Sequence, residues 1–178
     1  MTTWLFNFSV SYQAGAMRRI LATVRFFDKG NGAIFIIHSS LKNEVEIFSN
    51  KNKYFFINQT FSERLFKNEG YIREIIKDYG QPDIYFSYGI PIYSKIGKLN
   101  WFHVSNALSL TVKNIRLTAV TKMKMLLLKH RIVSTVGNID IVSGESQYTL
   151  DLFQREVLPK KSISYHILRN GHNTEDIS

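Results

Sequence analysis

The chain has 178 residues, of which 44% are hydrophobic and 21% charged, enough apolar material to close one sizeable core and so to form one globular domain. Lysines and arginines number 23 against 14 acids, and the formal net charge of +9 draws anionic partners, whether nucleic acid, phosphorylated ligands or acidic lipid, without choosing among them. The absence of cysteine excludes disulfides and thiolate metal sites. No apolar run reaches the roughly 18 residues of a spanning helix, and the start MTTWLFNFSV lacks the basic flank and cleavage site of an export signal, so a cytoplasmic location fits.

In chain order, Trp4–Val10 is an apolar and aromatic run that predicts a strand, followed by the loop SVSYQAGAMRR and a helix over Ala16–Phe27 with Ile20, Val24 and Phe27 on one face. Ala33–His38 and Lys53–Ile57 predict the next two strands, with Gly30 and Gly32 breaking the chain before the first of them. A helix is expected over Phe61–Tyr79, then a strand over Asp83–Tyr88, the loop FSYGIPIYSKIGK, a strand over Asn100–Val104 and a second helical stretch over Ile115–Val133. Ile139–Ser143, Gln147–Val157 and Ser162–Leu168 close the series as strand, helix and strand, before the polar tail HNTEDIS. Several strands are almost continuously apolar, as strands buried on both faces are. Strand and helix taking turns predicts an α/β, Rossmann-like, three-layer domain with a mostly parallel sheet and right-handed crossovers.

Ligands of such folds sit beyond the carboxyl ends of the strands, so the exit loops carry the chemical reading. In the first, Gly15 and Ala16 open a helix whose free N–H groups face an anion, and Arg18 and Arg19 add charge-assisted donors. The same residues fit an ordinary strand-to-helix turn with two solvated arginines. In the second, Tyr88, Gly89, Tyr93, Lys95 and Lys98 offer aromatic faces and positive charge to sugars, bases or phosphates, or else cap the sheet edge and meet solvent. The third places His103 at the end of a buried strand, where an imidazole can bind or orient a hydroxyl, or simply be packed and hydrogen-bonded. Asn106 either hydrogen-bonds a sugar or satisfies its own turn. In the fourth, Ser146 is placed to cap a helix, and Glu145 is a candidate ligand contact.

The stretch KNIRLTAVTKMKMLLLKHRIV carries Lys113, Arg116, Lys122, Lys124, Lys129 and Arg131 among methionines and leucines. A helix of this composition lies in the headgroup layer of an anionic membrane, or packs an apolar face on the core with its basic residues outward. The sequence holds no H-E-x-x-H and no tight His/Asp cluster, so no metal site is expected. No G-x-S-x-G elbow marks a serine hydrolase.

The closing unit, IDIVSGESQYTLDLFQREV with its PKKS turn and ISYHILRNG, resembles the last repeat of the N-terminal domain of retaining GT-B glycosyltransferases, where an Asn-Gly pair leads into a second domain. SVSYQAGAMRR resembles the glycine-containing turn followed by arginine that these enzymes place after their first strand, although Ala14 stands where many members have another glycine. PDIYFSYGIPIY is similar to a stretch of bacterial polysaccharide glycosyltransferases, and His103 stands where family members commonly carry a cleft-facing histidine. The likeness is in kind to family 4 enzymes of O-antigen or capsule assembly. It implies an acceptor-binding domain over residues 1–171, a linker or tail over 172–178, and a donor-binding domain outside this sequence. It further implies transfer from a nucleotide-sugar, a UDP-sugar, to a lipid-linked saccharide with retention, at the cytoplasmic face of the inner membrane, with His103 as the catalytic residue and no cofactor. On this reading nucleic acid is not a partner, and this chain alone transfers no sugar. A basic Rossmann-like nucleic-acid-binding module is the alternative that the charge and tyrosines leave open, and a scaffold domain without a ligand is another.

Overall fold

The computed structural model describes residues 2–11, 14–65, 69–111, 116–159 and 162–169. Among the described residues seven strands form one sheet: β1 (Trp4–Phe8), β2 (Ile34–His38), β3 (Lys53–Ile57), β4 (Ile84–Tyr88), β5 (Leu99–His103), β6 (Ile141–Gly144) and β7 (Ser164–Ile167). Their order is β3-β2-β1-β4-β5-β6-β7, and every pair is parallel. The helices are α1 (Ala14–Lys29), α2 (Lys42–Val45), α3 (Phe61–Leu65), α4 (Gly70–Tyr79), α5 (Ala119–Thr135) and α6 (Gln147–Val157). The α/β, Rossmann-like class expected from the alternating pattern is the fold observed.

Alternation along β1 sets the two cores. Phe6 and Phe8 face Ile20 and Val24 of α1, while Leu5 packs on the other side with Ile72 and Ile75 of α4, Leu128 and Ile132 of α5, and Phe153 of α6. The α1 side is built from rings: Phe6 lies 5.0 Å from Phe35 and 5.5 Å from Phe86, and Trp4 stacks on Phe6 at 5.3 Å. Phe35, Ile36 and Ile37 are fully buried. Each such side chain contributes roughly 1.5–3 kcal/mol of transfer free energy, which is why β2 reads as an unbroken apolar run.

Three segments differ from the sequence reading. The helix expected over Phe61–Tyr79 is two helices, α3 and α4. At the start of α4 the buried Glu69 accepts from the Tyr93 N–H at 3.0 Å and the Ser94 hydroxyl at 2.6 Å, which ties that helix end to the segment after β4. The helix expected over Ile115–Val133 begins at Ala119, because the Thr118 hydroxyl accepts from the Thr121 N–H as an N-cap. Residues 39–48, unassigned in the sequence reading, form α2 flanked by two single turns, with Leu41 and Val45 buried.

The larger correction concerns FSYGIPIYSKIGK. Because β5 runs parallel to β4, the chain must return to the opposite end of the sheet, and it does so as an extended crossover with Ile90, Ile92 and Ile96 buried beneath it. An added Cβ at Gly97 would lie 2.7 Å from both the Leu99 carbonyl oxygen and the Tyr85 nitrogen, so the crossover presses directly on the sheet. Lys95 and Lys98 pair with Asp140 and Asp83, residues that precede β6 and β4, and Tyr93 donates to the Leu65 carbonyl at 2.8 Å. None of the three lines the cleft described next.

Candidate functional site

The strand order reverses between β1 and β4, where successive crossovers leave to opposite faces of the sheet. A parallel sheet opens a crevice at such a point, beyond the carboxyl ends of its strands. A cleft of about 510 Å³ lies there. Val10 and Ser11 leave β1 at its floor, Gly15 and Ala16 present the first turn of α1, and Tyr88 and Gly89 leave β4. Val104, Ser105, Asn106 and Ser109 follow β5, and Glu145 follows β6. The far wall is aliphatic: Met125, Leu128 and Ile132 of α5, with Phe102 behind them.

The cleft therefore gathers Gly15, Ala16, Tyr88, Gly89, Asn106 and Glu145 from four loops. Gly89 has φ 71°, a left-handed conformation that a side chain strains, so glycine is needed for the turn itself. Gly15 sits inside the first turn of α1, and an added Cβ would meet nothing within 4 Å. What it leaves open is space in the cleft. Asn106 satisfies its own turn, as one of its two readings had it: Oδ1 accepts from the Leu108 N–H at 2.7 Å. Ser146 caps α6 through the Thr149 N–H.

Behind the rim lies a polar cluster centred on His103, which is fully buried. The Arg19 guanidinium can only donate, and its Nη1 stands 2.7 Å from His103 Nε2, so that nitrogen is the acceptor. The proton is thus on Nδ1, 2.9 Å from the Ser143 hydroxyl oxygen, which also accepts from Trp101 Nε1 at 2.8 Å. Burial, and then the Arg19 charge, lower the His103 pKa from 6.5 to about 3, so the ring is neutral at any ordinary pH. Its face stacks on Tyr88 with centroids 4.8 Å apart. The phenol of Tyr88 is held above its ordinary pKa, chiefly by burial.

Arg19 is the hub. Its Nη2 donates to the Leu168 carbonyl at 3.1 Å and lies 3.4 Å from Glu145 Oε1, and the guanidinium sits 5.7 Å from the centre of the Tyr88 ring. Its side chain is 13% exposed and that of Glu145 is 44% exposed. Arg18 is exposed and lines no part of the cleft.

Of the basic residues on the long helix, Lys113 lies outside the described residues, and Arg116 is exposed just before α5. Lys122 and Lys124 are exposed, Lys129 pairs with Glu156 of α6 at 2.6 Å, and Arg131 is partly buried. The sequence reading missed Ser11, Ser105 and Ser109 as cleft residues, and the aliphatic face of α5 as its wall. It also missed Ser143 as the partner of His103. Among the described residues no group of three or more histidines and acids stands close enough to hold a metal ion, and no helix is long and apolar enough to cross a membrane.

No family model and no curated protein matches this sequence. Among solved structures, the chain is similar to HepE of Anabaena, crystallised in complex with UDP. The TM-score is 0.53 at 11% identity, over 97% of this chain and 45% of HepE. The likeness shows a shared fold. This chain spans less than half the length of that relative. An NADH-dependent reductase crystallised with NAD is more distant, at a TM-score of 0.33 and 11% identity over 80% of this chain and 58% of the reductase.

Proposed function

We propose that the chain is the acceptor-binding half of a retaining GT-B glycosyltransferase, of the kind that moves a sugar from a UDP-sugar to a lipid-linked saccharide in O-antigen or capsule assembly. The observation that carries this reading is the convergence of the α1 start, Tyr88–Gly89, Ser105–Asn106 and Glu145 on one cleft at the reversal of strand order. HepE, whose fold this chain shares, binds UDP in its crystal structure, which supports a nucleotide-sugar as donor. In this reading residues 1–171 bind the acceptor, and the donor-binding domain lies outside this sequence.

The lining suits a sugar carried on a lipid. Hydroxyls of Ser11, Ser105 and Ser109 and the Asn106 amide meet sugar hydroxyls, and Met125, Leu128 and Ile132 meet an apolar group beside them. The start of α1 and Arg19 favour a diphosphate at the mouth. His103 keeps its proposed catalytic place with a stated condition. Arg19 occupies Nε2, and a diphosphate that draws the guanidinium away would free that lone pair for an acceptor hydroxyl. The acceptor would be met at the cytoplasmic face of the inner membrane.

Saturation-transfer NMR with a short-chain polyprenyl-diphosphate sugar and with an oligonucleotide tests the reading. Contact of sugar protons with the protein, abolished by Gly15→Trp, is expected. Salt-dependent oligonucleotide binding with no saccharide contact would overturn it in favour of a nucleic-acid module.

A further inference from the structure

The cleft changes character from mouth to floor. Gly15, Asn106 and Glu145 at its mouth are exposed, whereas Phe102, Val104, Leu128 and Ile132 at its inner corner are 5% exposed or less and belong to the core on the α5 side of the sheet. The single turn Ala107–Ser109 packs on α5 and brings one polar group into that corner, the Ser109 hydroxyl. Ser109 is 3% exposed, and its hydroxyl has no hydrogen-bond partner among the described residues. Among those residues a side-chain polar atom that is both sealed and unpartnered occurs only on Glu44, so Ser109 Oγ opens onto the cleft. A corner that merely closed the core would pair this hydroxyl or hold an apolar residue in its place.

We infer that this corner is a subsite for an acetamido group, so that the sugar met by the cleft is an N-acetylated amino sugar. The inference rests on the transferase reading above and names the terminal sugar of its acceptor. The acetyl methyl fills the space against Phe102, Leu128 and Ile132, the carbonyl oxygen accepts from the Ser109 hydroxyl, and the amide N–H stays toward the wet mouth. The lone hydroxyl is what selects. A plain hexose carries a hydroxyl at the corresponding carbon, which reaches Ser109 but leaves the aliphatic wall without contacts. A 6-deoxy sugar covers the wall with its methyl and strands the Ser109 hydroxyl away from water. An acetamido group bears an acceptor oxygen and a methyl on one carbon, and so meets the hydroxyl and the wall together.

Isothermal titration calorimetry tests this with short-chain polyprenyl diphosphates that bear N-acetylglucosamine, glucose or 6-deoxyglucose. The N-acetyl ligand is expected to bind about twentyfold more tightly than the glucose ligand, the combined effect of one buried methyl and one hydrogen bond. Ser109→Ala should weaken the N-acetyl ligand about fivefold and leave the 6-deoxy ligand unchanged. Its melting temperature should stay level or rise, since no bond within the protein is lost. Equal binding of the glucose and N-acetyl ligands overturns the subsite and leaves the transferase reading standing, as does 6-deoxyglucose binding as tightly as N-acetylglucosamine, or a preference that survives Ser109→Ala in full. UDP-N-acetylglucosamine carries the same group on a donor. If it binds more tightly than the lipid-linked sugar and is weakened by Ser109→Ala, the subsite stands and its assignment to the acceptor falls. Absence of binding by every saccharide ligand sinks the transferase reading and this inference with it.

Discussion

Acidification is the most direct probe of the buried cluster at His103. In the unfolded chain this imidazole takes a proton near 6.5, whereas in the folded protein burial and Arg19 hold it neutral down to about 3. Between those values the unfolded state binds the extra proton, so stability falls as pH drops through 6.5 and is flat with respect to this group above it. The slope is roughly 1.4 kcal/mol per pH unit, and over the roughly 1.5 units from 6.5 down to pH 5 the loss is about 2 kcal/mol. That is a large part of the 5–15 kcal/mol typical of a domain. Urea unfolding at pH 7 and pH 5, followed by fluorescence of Trp4 and Trp101, measures it. His103→Gln, whose amide offers Arg19 an acceptor but does not titrate, is expected to lose about 2 kcal/mol less than the wild type between the two pH values. Equal losses in both proteins would show that His103 is not the buried neutral base described here.

Other outcomes follow from the same contacts. Ser143→Ala strands the Nδ1–H of His103 and the Nε1–H of Trp101 without their acceptor, and should cost about 2–4 kcal/mol in thermal or urea unfolding. Gly89→Ala should destabilise by about 1–2 kcal/mol because of its positive φ, whereas Gly15→Ala should leave the melting temperature unchanged or slightly higher, since its Cβ meets open space. Tyr93→Phe should cost about 1 kcal/mol through its lost bond to Leu65 while leaving saccharide contact intact, because Tyr93 lies away from the cleft.

The strands were legible because burial on both faces leaves a sequence no reason to alternate, and β2, IFIIH, is the plainest case. The crossover after β4 was misread because Gly89-Ile90-Pro91 has the look of an exit turn. Its own signal, Ile90 and Ile92 two apart with Ile96 beyond, describes an extended segment burying alternate residues. The helical stretch around α2 had a signal as well, Leu41, Val45 and Phe48 at helical spacing. For α5 composition was not enough, since basic and apolar residues interleave in any amphipathic helix. Only packing shows which of its apolar residues are buried, Leu128 and Ile132, with Lys122 and Lys124 left exposed. The contact between Arg19 and His103 spans 84 positions and leaves no local trace; strand and loop positions nominated both residues, and packing alone joins them.

What holds the cleft rim in place is a pair of polar networks, one on each side of the strand-order reversal. Beneath β1, the Asn7 amide donates to Tyr85 at 2.9 Å and to Tyr71 at 3.3 Å, its carbonyl accepts from the Ser9 N–H at 3.2 Å, and the Ser9 hydroxyl stands 2.7 Å from that carbonyl and 2.8 Å from Gln59 Oε1, with one proton to share between them. Beneath β5, His103 joins Arg19 to Ser143. Each network reaches a cleft loop within a few residues: Ser9 precedes Val10 and Ser11, and His103 precedes Val104 and Ser105. Asn7, Ser9, His103 and Ser143 are all fully buried, so breaking either network strands a polar group that water cannot reach. The loops above therefore inherit part of their positions from satisfied hydrogen bonds in the sheet, beside the contacts that Arg19 makes across them. Asn7→Leu would accordingly move Ser11 without touching it, and loss of ligand contact in a variant that still folds would be the mark of that inheritance.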